Sequence, residues 1–123
     1  MRSPTERSVY ETASGRVLLA YLGEKELAAF VASVGLPAAG TWLGADTPEG
    51  LAAALAQIRA DELLVTLSPS HIVGLAVPIW QQNRVVASLS LFPPQSRCPA
   101  ARKKEITPAL RQVARQIQEQ LTS

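Results

Sequence analysis

Few side chains in this chain could do chemistry, and their spacing argues for recognition rather than turnover. The sequence holds one histidine, His71, and one cysteine, Cys98. Histidine titrates near neutral pH and is the usual general base. His71 follows the turn Ser68-Pro69-Ser70 with no Asp or Glu close in sequence to orient it, so it reads as a surface or capping residue. Cys98 precedes Pro99 where a strand passes into a helix, and a partly buried thiol with no basic partner is the reading there. Ser14 lies in Ala-Ser-Gly, but a nucleophile elbow needs a strand before it and none is predicted. No acid–base pair, metal-ligand spacing or phosphate loop is present, so no catalytic residue, metal or cofactor is expected.

The basic residues need the same weighing. Arg102, Lys103 and Lys104 cluster, with Arg97, Arg111 and Arg115 nearby. A nucleic-acid footprint would look like this, and so would the solvated face of a helix covering a small sheet. No aromatic residues interleave with the charges and no zinc or recognition-helix pattern accompanies them, which favours the solvated face. Specific DNA binding by this chain alone is not expected.

With 123 residues the chain is one domain, residues 1–123, long enough to bury a core. Its 47% hydrophobic and 18% charged residues exclude disorder. The long uncharged tract 65–83 is broken by Ser68-Pro69-Ser70-His71 and Pro78, so no membrane span is expected. The opening Met-Arg-Ser-Pro-Thr-Glu-Arg lacks an apolar signal core, and a lone cysteine excludes an internal disulfide; both fit the cytoplasm.

The elements that must position the polar residues follow from periodicity and caps. After a polar lead-in at residues 1–11, Thr12 caps a helix running to about Leu22. A second helix opens at Glu24-Lys25-Glu26, carries Leu27, Phe30, Val31 and Val34 on one side, and stops at Gly35-Leu36-Pro37. Residues 37–46 form a loop holding Trp42, as a loop anchor, a subunit contact or a lid. Thr47 caps a third helix with Pro48 at its first position and Leu51, Ala54, Leu55 and Ile58 as its stripe. Strands follow at 63–67, 72–80 and 85–92, the last two a hairpin whose polar turn (residues 81–84) lets Asn83 go left-handed. The last helix bears Ile106, Leu110, Val113, Ala114, Ile117 and Leu121. Local rules start it at Thr107-Pro108, whereas a start near Pro99 leaves Pro108 as an internal kink. The order predicts an α+β fold: an antiparallel sheet with helices packed against it and an edge open to further strands.

Three blocks carry a likeness to a known family. They are Thr12-Ala-Ser-Gly-Arg-Val-Leu-Leu-Ala20, Gly-Leu-Ala-Val-Pro-Ile at 74–79, and the run from Arg84 through Leu91-Phe92-Pro93-Pro94 to Arg97. In this order and spacing they resemble the effector-binding domain of IclR-type transcriptional regulators, over residues 8–121. The resemblance implies a GAF/profilin-like fold, the earlier start of the last helix, and no enzyme activity. It also implies a homodimer or tetramer that meets DNA only through a helix-turn-helix domain. That domain and the effector domain's opening strands have no counterpart in these residues, as in a fragment, a truncated product or a stand-alone derivative.

The same resemblance implies a pocket between the first helix and the sheet. Backbone N–H groups at Ala13 and Ser14 would hold the anionic end of a small organic effector, with Gly15 allowing close approach. The family's two strand serines correspond to Ser90 and Phe92, its strand cysteine to Gly74, and its acidic stretch to Thr66-Leu67-Ser68. With so many polar groups gone, an apolar or aromatic effector fits better than glyoxylate or pyruvate. Ser90 stands open as a ligand contact or a plain sheet residue. Alternation puts Ser90 and Phe92 on one face, so Phe92→Ser is expected to open a polar cavity at about 2–4 kcal/mol. The rival reading is a ligand-free homodimerisation module with the pocket filled by side chains.

Overall fold

Thr12 and Thr47 start helices in the same way. In each case the threonine Oγ1 accepts from the backbone N–H three residues on, Gly15 or Gly50, at 3.0 Å. The computed structural model describes residues 9–122, so most of the expected polar lead-in and the signal-core argument lie outside the described residues. Four α-helices, three strands and one 3₁₀ turn follow in order: α1 (Ala13–Ala20), α2 (Glu24–Val34), α3 (Pro48–Asp61), β1 (Leu64–Leu67), β2 (Val73–Gln81), β3 (Arg84–Leu91), the 3₁₀ turn (Gln95–Arg97) and α4 (Ala100–Thr122). Gly35 ends α2 with φ 91°, a left-handed conformation that suits glycine, and its N–H donates to Val31 O at 2.8 Å. The stripe of α2 is only half-buried, and none of its residues is fully enclosed.

The strands form one antiparallel sheet in the order β1-β2-β3, the α+β architecture that the residue patterns predict. Register runs from Leu64↔Ala76 to Leu67↔Val73, and from Leu75↔Leu91 to Gln81↔Arg84, with a bulge between Ile79 and Trp80. Gln82 and Asn83 both have positive φ, 51° and 70°. This makes a two-residue mirror-image turn, tighter than the four-residue turn expected, because its twist matches that of the strands. Consequently β3 begins one residue earlier than expected, at Arg84; at its other end it stops at Leu91 ahead of Pro93-Pro94, so Phe92 falls outside it.

Helices cover both faces, so every residue from Val73 to Ile79 is buried. On one face Val73, Leu75, Val77 and Ile79 pack against Leu110 and Ala114 of α4 and against Cys98. Cys98 is therefore fully buried, more than the sequence suggests. On the other face Ala76 joins Ala13 and Val17 of α1, Leu51, Leu55 and Ile58 of α3, and Trp42, whose loop-anchor role this burial supports. The last helix starts at Ala100 and carries Pro108 inside. Pro108 cannot bond the Lys104 carbonyl, but both residues are exposed and water can serve that group.

The basic residues do structural work or face water. Arg59 Nη1 donates to Ala20 O and Arg111 Nη2 to Asp61 O, each at 2.9 Å, so each closes a helix C-terminus where a cation is favoured. Arg102 pairs with Glu105 at 2.9 Å on the open surface, as the solvated-face reading predicts. Among the described residues no helix is long and apolar enough to cross a membrane.

Candidate functional site

The N-terminus of α1 meets the sheet where the sheet is thinnest. Gly74 and Ala76 are the residues β2 turns toward α1, and their small size lets Ala13 become fully buried. Thr12 Oγ1 takes the Gly15 N–H, which leaves the N–H groups of Ala13 and Ser14 without an acceptor in the helix. Those amides and the helix dipole make a small positive pole beside β3.

Three hydroxyls converge on that pole. Ser88 Oγ donates to Ser14 Oγ at 2.9 Å, and Ser14 Oγ shares a hydrogen bond of 2.5 Å with Ser90 Oγ. Ser88 joins the expected Ser14 and Ser90; period-two alternation places it on the face of Ser90, although the family resemblance gives it no role. Ser14 is partnered by hydroxyls and not by a base, so the cluster is built to exchange hydrogen bonds.

The space next to the cluster is closed. A methyl group on Gly74 would collide with Thr66 Oγ1 and lie 3.3 Å from Ala13 Cβ and 3.6 Å from Phe92 Cε1. The structure thus brings Ala13, Ser14, Gly74, Ser90 and Phe92 together, with Thr66 and Ser88 added. Phe92 is nevertheless 54% exposed, because the strand ends before it and the ring lies over the site's rim. The expected cost of removing it shrinks accordingly. Gly15 is placed differently: the Val9 main chain packs against its bare face, so the close approach it allows here is to its own chain.

Ser68 and His71 organise the turn before β2. Ser68 Oγ accepts from Ile72 N at 3.1 Å. His71, at φ 62°, is exposed, and its Nδ1 lies 3.1 Å from Gln95 Oε1 while its carbonyl accepts from Gln95 N at 2.8 Å. That is the surface histidine of the surface-or-capping expectation. Among the described residues no group of three His, Cys, Asp or Glu side chains could hold a metal ion.

Ser68 and Thr66 also line a groove of about 410 Å³ between β1, Arg16 of α1 and residues 40–43. Arg16 closes its inner end. Nε donates to Tyr10 O at 2.7 Å, Nη2 to Thr41 O at 3.0 Å, and the guanidinium carbon sits 4.5 Å from the centre of the Trp42 ring. Gly40 and Gly44, with φ 87° and 82°, give the loop the bends that carry Trp42 to this position.

A three-stranded antiparallel sheet with helices packed on both faces and a helix start aimed at a hydroxyl-lined strand sets the class of fold as α+β. The family model described as the C-terminal region of the bacterial transcriptional regulator IclR matches residues 5–119, and the chain belongs to that family. Its members are transcriptional regulators, not enzymes. A transcriptional regulator from Rhodococcus sp. RHA1 is 28% identical with TM-score 0.79, over 92% of this chain and 47% of the other. The C-terminal domain of the E. coli regulator KdgR is 27% identical with TM-score 0.77, over 94% and 71%. An IclR homolog from Microbacterium hydrocarbonoxydans, complexed with 4-hydroxybenzoate, is 29% identical with TM-score 0.72, over 92% and 45%. The chain thus spans less than half the length of two of these relatives. No curated protein sequence matches it.

Proposed function

We propose that this chain is the sensor part of an IclR-type regulator and takes a small aromatic acid as effector. The observation that carries this is the Ser14–Ser88–Ser90 cluster at the positive start of α1. The free amides of Ala13 and Ser14 suit a carboxylate, the serines suit a ring hydroxyl, and the half-exposed Phe92 is the side chain able to swing aside and stack on a ring. The 4-hydroxybenzoate held by a relative supports the ligand class. Binding would shift how α1 sits on the sheet, and so the spacing of DNA-binding elements carried elsewhere in a dimer or tetramer in the cytoplasm.

Thermal melts test the reading. A hundredfold excess of 4-hydroxybenzoate over its Kd should add about 2.7 kcal/mol of stability, and glyoxylate should add far less. No upward shift with any hydroxybenzoate, or an equal shift with glyoxylate, would overturn it. The closure of Gly74 by Thr66, Ala13 and Phe92 favours a second reading, a ligand-free homodimerisation module. That reading gains if no ligand shifts the melt while the chain sediments as a dimer.

A further inference from the structure

The groove beside Trp42 holds a charge that no carboxylate in the described chain neutralises. Arg16 spends two of its five N–H groups, on the carbonyls of Tyr10 and Thr41. Among the described residues no ion pair joins Arg16 to Glu11, although Glu11 borders the same groove. Burial lowers the Arg16 pKa from its ordinary value, the mark of a cation partly stripped of water. A partly desolvated guanidinium held by two neutral carbonyls and the Trp42 ring carries an unneutralised charge, and an anion laid against it would offset the desolvation cost.

The rest of the groove states what kind of anion. Leu43 is 95% exposed on its rim, and Leu64 lies on the face of β1 that Thr66 shares, while Thr66 and Ser68 contribute hydroxyls. A charged end, apolar walls and a few hydroxyls complement a small carboxylate with an apolar body. We infer that this groove is a carboxylate-binding site in which Arg16 supplies the counter-charge. Its charged end stands apart from the serine cluster, since Arg16 lies two residues beyond Ser14 in α1, roughly 200° around the helix, while Thr66 borders both.

The test uses the only other tryptophan as a lever. In a Trp80→Phe background Trp42 is the sole indole, and benzoate titration should change its fluorescence saturably. Benzamide, which lacks the charge, should not. Arg16→Gln should weaken benzoate about tenfold or more, as loss of a charge-assisted pair does. Leu43→Asp should weaken it comparably by repulsion without touching the fold, because Leu43 stands in solvent; it therefore decides the matter if Arg16→Gln fails to fold. Arg102→Gln removes the same charge elsewhere and should leave binding unchanged. No saturable response, or a response indifferent to Leu43→Asp, overturns the inference. A melt stabilised by aromatic acids yet indifferent to Leu43→Asp would sink this site and leave the proposed sensor function standing.

Discussion

The two faces of the sheet are built from opposite materials. Toward α4, β2 presents Val73, Leu75, Val77 and Ile79, and β3 adds Ala87 and Leu89. Toward α1, the same two strands present Gly74 and Ala76, then Ser88 and Ser90. One strand therefore carries large side chains at 73, 75, 77 and 79 and glycine and alanine at 74 and 76. The large face fixes the fold by filling volume. The small face gives up that burial, and in return a helix start and its polar groups reach the sheet. Function is to be sought on the face whose strands present glycine, alanine and serine rather than large apolar side chains.

The contrast can be broken most forcefully at Leu75, which is fully buried against α4. Leu75→Ala should cost about 3 kcal/mol in urea unfolding, as cavities in packed cores do. On the opposite face Gly74→Ala inserts a methyl against Thr66 Oγ1 and should cost about 1–3 kcal/mol through overpacking. Adding Thr66→Ala should restore most of that loss; no recovery would mean that Ala13, not Thr66, sets the limit. Ser14→Ala removes the hub between Ser88 and Ser90 and should cost about 1–2 kcal/mol. It should also weaken 4-hydroxybenzoate binding in calorimetry. Phe92→Ser should cost only about 1 kcal/mol, since half the ring is already in water. A loss as large as that for Leu75→Ala would show the ring to be buried.

The smallest effect concerns pH. Tyr10 OH donates to Gly35 O at 2.6 Å, and burial holds its pKa above the ordinary 10.0. The folded state keeps that proton longer than the unfolded chain does. Stability from this group is thus intact below pH 10 and declines as pH rises above it. Tyr10→Phe should show a shallower alkaline decline in a series of urea melts.

Local chemistry made most of the fold legible. Thr12, Thr47 and Gly35 mark helix ends by hydrogen bonds that need only neighbouring residues, and alternation fixed the faces of the hairpin. What failed was local only in part. Two positive-φ residues at Gln82-Asn83 shorten the turn and start β3 one residue early, while Pro93-Pro94 end it before Phe92. Ser88 was legible by alternation, but it has no place in the family's pair of serines and so drew no attention. The grip of Arg16 on Thr41 O and Trp42 arises only when the loop folds back over α1, and no spacing announces it. Nor could periodicity say that the stripe of α2 would be only half covered.

Pro108 divides α4 into two stretches of unequal protection. Beyond it, Leu110 and Ala114 are buried against the sheet, and Gln118 Oε1 accepts the Trp80 amide at 3.1 Å. Before it, the turns carrying Arg102, Lys104 and Glu105 lie in water, and the helix ladder lacks the bond Pro108 would have made. In hydrogen–deuterium exchange the helix should therefore behave as two segments. Amides of the first exchange through local opening, and those facing the core exchange only when the domain unfolds.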